Sequence, residues 1–246
     1  MPSRPCETRD LGRLGWAEAY QLQRTLVEQR KAGLIPDQLL FVEHPHVITL
    51  GRNAHLNNIL ASPEMLSRAG VEVHETNRGG DVTYHGPGQI VGYPIFDLRD
   101  WKRDVRAYVN TIVIAIAATL EEYGIEAGPD PDAIGVWVNG KKIAAIGVHI
   151  SRWVTSHGFA LNVDTDLSYF RHIVPCGLSK PVTSMKDEGA QIATREKVIA
   201  QLTRHLAIGF DLEPVPCPWN KETIVGQASA CVELQLRLCQ EAEPGW

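Results

Sequence analysis

Paired cysteines are missing from this chain. Its five cysteines are odd in number and contain no C-x-x-C spacing, which excludes a disulfide framework and a zinc knuckle. Long apolar runs are missing too. The longest, Ile112 to Leu120, falls far short of the roughly 20 residues of a membrane helix. The opening Met1-Pro2-Ser3-Arg4-Pro5-Cys6 lacks the apolar stretch of a secretory signal, so a cytoplasmic protein without a membrane partner is expected. Basic residues are not in excess: 24 Lys and Arg against 29 Asp and Glu leave a net charge of −5, which argues against a nucleic-acid partner. Neither a G-x-G-x-x-G turn nor a G-x-x-x-x-G-K-[ST] loop occurs, which argues against a dinucleotide fold and a phosphate loop.

What is present is enough for a core. A chain of 246 residues that is 44% hydrophobic fits one domain over residues 1–212, followed by a Pro-rich linker and tail over 213–246. Trp16 to Lys31, Val105 to Tyr123 and Arg195 to Ile208 carry apolar residues at three- and four-residue spacing and read as helices. The second is apolar around much of its middle and should pack on both sides. Leu39–Glu43, Val47–Gly51, Val71–His74, Ile90–Leu98 and Phe159–Val163 read as strands, with Pro94 calling for an edge or a bulge. Asn139-Gly140 marks a type I′ hairpin turn between Gly135–Val138 and Lys141–Ile150. Pro214, Pro216 and Pro218 should exclude regular structure. Strands and helices alternate without a βαβ rhythm, which points to the α+β class, a mixed sheet flanked by helices.

Chemistry gathers in three stretches. Arg78-Gly79-Gly80-Asp81-Val82-Thr83-Tyr84-His85-Gly86-Pro87-Gly88-Gln89 combines glycines that allow close backbone approach with polar ends. Arg78 is read first as the ion-pair partner of Asp81. Lys142 leads a small-residue apolar strand; hairpin alternation sends either Lys141 or Lys142 inward, and a desolvated lysine gives up its proton more readily. Cys176, between Pro175 and Gly177, is either a nucleophile needing a nearby base or a small buried hydrophobe. Lys142, His85, His149, His157 and His172 are the candidate bases. His44 and His46, two apart at a proline turn without carboxylates nearby, read as structural, and no metal is expected.

Four ordered blocks, Arg78–Gln89, Lys142–Gly147, His157–Asn162 and Ile173–Gly177, together resemble the lipoyl(octanoyl) transferases, over about Leu11 to Leu212. The resemblance implies the biotin and lipoate protein ligase fold, related to class II aminoacyl-tRNA synthetases. It implies transfer of an octanoyl group from octanoyl-acyl carrier protein to a lysine of lipoyl domains, those of 2-oxoacid dehydrogenases and of the glycine cleavage H protein. Carried over residue by residue, it makes Cys176 the acyl-thioester nucleophile and Lys142 its activator. It puts substrate contacts at Arg78, Gly79, Gly80, Asp81, Val82, Thr83, Tyr84 and His85, at Ala145, Ile146 and Gly147, and at Gly158, Phe159 and Ala160. No cofactor and a monomer are expected. An ATP-dependent lipoate ligase and a non-catalytic acyl or lipoyl-domain binder are the rivals. Arg152, Arg171, Lys180 and Lys186 are read as charges that steer an acidic carrier protein.

Overall fold

The computed structural model describes residues 3–174, 180–191 and 194–219. In chain order the elements are β1 (Arg4–Arg13), α1 (Trp16–Lys31), β2 (Asp37–Glu43), β3 (Val47–Leu50), α2 (Pro63–Arg68), β4 (Glu72–Glu75), β5 (Val82–His85), β6 (Gln89–Ile95), α3 (Val105–Glu121), β7 (Val136–Val138), β8 (Lys141–Ser151), β9 (Val154–Asn162), α4 (Arg195–Phe210) and β10 (Leu212–Pro216). A seven-stranded sheet runs β10-β1-β2-β6-β9-β8-β7, and a three-stranded sheet runs β4-β3-β5. The first three strands of the large sheet are parallel and the rest antiparallel. The α+β expectation therefore holds.

Helices α3 and α4 cover one face of the large sheet. Asp104 and Thr194 cap their N-termini through Ala107 N–H and Lys197 N–H. Tyr108, Ile112, Ile116 and Leu120 from α3 and Val198, Leu202 and Leu206 from α4 join Phe159 and Leu161 of β9 in the main core. Helix α3 is packed on two sides, by the sheet and by α4, while Ile114 on its remaining surface is 67% exposed. On the opposite face, α1 buries Ala19, Leu22, Leu26 and Val27 against Leu40, Val91 and Tyr93. The small sheet has a core of its own, with Ile48, Val82, Tyr84 and Phe170.

Two proline expectations fail for one reason, which is where the missing N–H falls. Pro214 and Pro216 lie in β10, an edge strand paired on one side with β1, so an absent donor is tolerated and the chain stays regular to Pro216. Pro94 lies in β6, an interior strand, yet the β6–β9 ladder stops at Gly92–Phe159 and resumes only as a bridge between Asp97 and Val154. In that gap His157 takes φ 56°. Strand β1 is unforeseen; Arg4 and Arg30 both bind the buried Asp37, at 2.7 and 2.8 Å, and fasten it beside α1.

Candidate active site

A one-residue irregularity delivers Lys142. Val138 opposes Lys141 and Trp137 opposes Lys142, but Val136 opposes Ala144, so β8 carries one extra residue at Ile143. Strict alternation would send residues 142 and 145 to opposite faces; the bulge puts them on the same one. Lys142 is 6% exposed, while Lys141 turns outward to Glu188 at 3.0 Å. The Lys142 main chain is held from the far side. Its N–H donates to Pro181 O and its C=O accepts from Thr183 N–H, both at 2.9 Å.

Lys142 thereby lines a small, open pocket with Thr83, Gln89, Ala145, Ala160, Asn162, Phe170 and Val182. The two sequence blocks on β8 and β9 are register partners: Ala145 faces Ala160, Ile146 faces Phe159, and Gly147 faces Gly158. Alternation divides them. Ala145 and Ala160 line the pocket, whereas Ile146 and Phe159 turn into the core beneath the helices. The glycine-rich stretch crosses at the far end, where Gly79 N–H donates to Val148 O at 2.9 Å. A Cβ on Gly147 would stand 3.1 Å from Gly79 O and would press on this approach. Val82 and Tyr84 face the small core, and Thr83 faces the pocket.

The expected Arg78–Asp81 pair does not form. The Arg78 guanidinium donates to Thr49 O at 2.6 Å, to Thr49 Oγ1 and to Gly79 O. Asp81 accepts from His55 N–H and Val82 N–H and from the Asn58 side chain. The reason is topological: Thr49 on β3 and the 55–58 turn reach these groups first. The carbonyls of Arg78, Gly80 and Asp81 are likewise taken by the N–H groups of Arg52, Asn53 and Gly51.

A buried chain of amides sets the state of His85. Asn162 Nδ2 donates to Thr183 O at 2.9 Å, so its Oδ1 accepts from Gln89 Nε2 at 2.9 Å. Gln89 Oε1 then accepts from His85 Nδ1–H at 2.8 Å, which leaves the lone pair on Nε2. Burial pulls the His85 pKa down to about 3, helped by His44 and opposed by the Gln89 bond. It is a neutral imidazole near pH 7. Burial likewise takes His157 to about 3; its Nε2–H donates to Asn77 at 2.7 Å. His149 is lowered by burial, with Arg52 adding to the effect.

His44 is structural, as expected, donating to Leu14 O at 2.8 Å and accepting from Tyr93 OH at 2.7 Å. Among the described residues no His, Cys, Asp and Glu cluster suits a metal ion, and no helix is long and apolar enough to cross a membrane. Cys176 lies outside the described residues. Its flanks are inside them: Val174 N–H donates to Asn58 O at 2.8 Å, and Lys180 binds Asp130 at 2.7 Å. Of the expected steering charges, Lys180 and Lys186 are paired with Asp130 and Asp164, and Arg152 lies 3.6 Å from Glu28. Gln89 and Asn162 were quoted within sequence blocks, but their link through the sheet had no sequence signal. Trp137, Phe170 and Val182 likewise reach the site only through the fold.

Residues 16–207 match the family model of the lipoyl protein ligase A/B catalytic domain. An octanoyltransferase of Solibacter usitatus is 62% identical over 213 residues, covering 87% of this chain and 96% of that protein. Among solved structures, Ta0514, a putative lipoate protein ligase from T. acidophilum with bound lipoic acid, superposes with a TM-score of 0.72 at 15% identity, covering 92% and 94% of the two chains. The biotin protein ligase from Aquifex aeolicus in complex with biotin and ATP gives 0.50 at 11% identity, covering 84% and 70%. These two likenesses are likenesses of fold.

Proposed function

From the premise that the chain belongs to the lipoyl protein ligase A/B catalytic-domain family and is an octanoyltransferase of protein lipoylation, we propose that it works through an octanoyl thioester on Cys176, activated by Lys142. The observation that carries this is the bulge in β8, which turns Lys142 rather than Lys141 into a pocket walled by Ala145 and Ala160. The donor is octanoyl-acyl carrier protein, and the acceptors are lipoyl domains of 2-oxoacid dehydrogenases and the glycine cleavage H protein. A free-thiol nucleophile suits the reducing cytosol, the proposed location.

In the first half-reaction the Cys176 thiol gives its proton to Lys142 Nζ, and the thiolate attacks the donor's thioester carbon. The tetrahedral oxyanion collapses, the carbon–sulfur bond of the donor breaks, and the departing thiolate takes a proton from the Lys142 ammonium. In the second half the acceptor amine attacks the enzyme thioester, an amide bond forms, and Cys176 leaves as thiolate. The proton that the amine sheds goes to Lys142 Nζ; the buried His85 imidazole, its pKa pulled down to about 3, is too weak a base to hold it. Thioester energy drives the sequence, so no nucleotide enters.

The wall suits the cargo. Small apolar side chains leave room for a chain whose burial contributes about 0.8 kcal/mol per methylene. Substrate contacts are assigned to Arg78, Gly79, Gly80, Asp81, Val82, Thr83, Tyr84 and His85, with Ala145, Ile146, Gly147, Gly158, Phe159 and Ala160. Ile146 and Phe159 then contribute main chain, since their side chains lie in the core.

The test is the intact mass of the protein after mixing with octanoyl-acyl carrier protein in the absence of ATP, for wild type and Cys176→Ser. An octanoyl adduct on wild type alone, removed by hydroxylamine, is the expected result. No adduct, with transfer only when ATP is added, would replace this reading with the ligase.

A further inference from the structure

Trp137 is a large aromatic beside Lys142 that the chemistry above leaves without a task. It stands in β7 directly opposite Lys142, so the two side chains leave the same face of the sheet. Lys142 Nζ lies 4.8 Å from the centre of the indole, and Lys180 Nζ lies 4.9 Å from it. Lys180 is four residues beyond Cys176 in the chain. The ring does not move freely: its Nε1–H donates to Ala133 O at 3.0 Å, its main chain pairs with Gly128, and it is 6% exposed. Gly135 closes the other side, where a Cβ would come within 3.2 Å of Lys142 Cε and 2.8 Å of Ala144 O. A flexible four-carbon stem is thus confined between a bare backbone and an aromatic face.

We propose that Trp137 is a positioning residue for the acyl transfer: its ring face receives the Lys142 ammonium that forms when the cysteine thiol gives up its proton. The proposal rests on the Cys176 and Lys142 reading above. In that step an S–H bond breaks, an N–H bond forms, and two neutral groups become an ammonium and a thiolate. Nζ has left bulk water, and the electron-rich indole face replaces part of the lost hydration. A leucine offers no such electron-rich face, whereas a phenylalanine keeps one. Lys180, held on Asp130, rests on the same ring and ties β7 to the chain that leaves the cysteine.

The experiment measures the rate of octanoyl-enzyme formation from octanoyl-acyl carrier protein in wild type, Trp137→Leu, Trp137→Phe, Lys142→Ala and the Lys142→Ala/Trp137→Leu double variant, with thermal melts as a check of folding. Trp137→Leu should lower the rate at saturating donor about tenfold, with half-saturation moved less than about twofold. Trp137→Phe should keep it within about threefold. In the Lys142→Ala background the leucine should cost nothing further, because the ring acts through the amine. Equal losses in the leucine and phenylalanine variants, or the same loss with and without Lys142, would overturn the proposal. If Lys142→Ala alone keeps the wild-type rate, the acyl-transfer reading fails; if it is dead while Trp137→Leu matches wild type, only the role of the ring falls.

Discussion

On β9, Phe159 and Leu161 are 3% and 0% exposed and packed beneath α3 and α4, whereas Ala160 and Asn162, each one residue further along, line the pocket. On β8 the same division sets Ile143, Ala144 and Ile146 against Lys142 and Ala145. One face is large and apolar and holds the fold together. The other is small or polar and lines the pocket. A shift of one residue would exchange them, so the register that secures stability also secures the site.

The comparison can be broken most sharply by filling the small face. Ala160→Leu should reduce octanoyl transfer by about 100-fold by displacing the bound chain, with a shorter acyl donor less affected, in rate assays across donor lengths. The large face should answer in the opposite currency. Leu161→Ala should destabilise by about 2–5 kcal/mol, lowering the melting temperature by roughly 5–15 °C while the activity per folded molecule stays within a few-fold.

Acid should discriminate the faces next. His44, His85 and His157, with folded pKa values of about 4, 3 and 3, all lie on the pocket side or beneath α1. Each is depressed by burial from the ordinary histidine value near 6.5, so the unfolded chain binds protons that the folded chain refuses. Their contribution is complete above pH 6.5 and is lost as pH falls toward 3, and melts at pH 5.0 should lie at least about 5 °C below those at pH 7.5. The smallest effect belongs to Lys186→Gln, whose pair with Asp164 is exposed on both sides and screened by solvent, so the same melts should show no change in melting temperature.

How much of this could be read in the chain follows from where each signal is written. Helices α1, α3 and α4 are stripes of apolar residues and were legible, as was the Asn139-Gly140 turn, with φ 49° and 77°. The β8–β9 hairpin was not, because its turn uses Arg152 and Trp153 at φ 50° and 68°, neither of them a usual turn residue. Strand β1 buries little beyond Cys6 and Leu11 and shows no alternation to detect. At the site, the sequence blocks named Ala145–Gly147 and Gly158–Ala160 without their pairing. Periodicity left Lys141 and Lys142 open and the resemblance named Lys142; the bulge that turns it inward is something periodicity cannot express. Trp137 could be chosen only once β7 was laid beside β8.

The central claim is that the fold selects one of two adjacent lysines for chemistry. The direct measurement is ATP-free octanoyl transfer from acyl carrier protein to a lipoyl domain, comparing Lys142→Met with Lys141→Met. The account predicts a loss of at least about 100-fold for Lys142→Met, within the range of a positioned acid–base group, and a rate within about twofold of wild type for Lys141→Met. Equal losses in the two variants, or full activity in Lys142→Met, would contradict it.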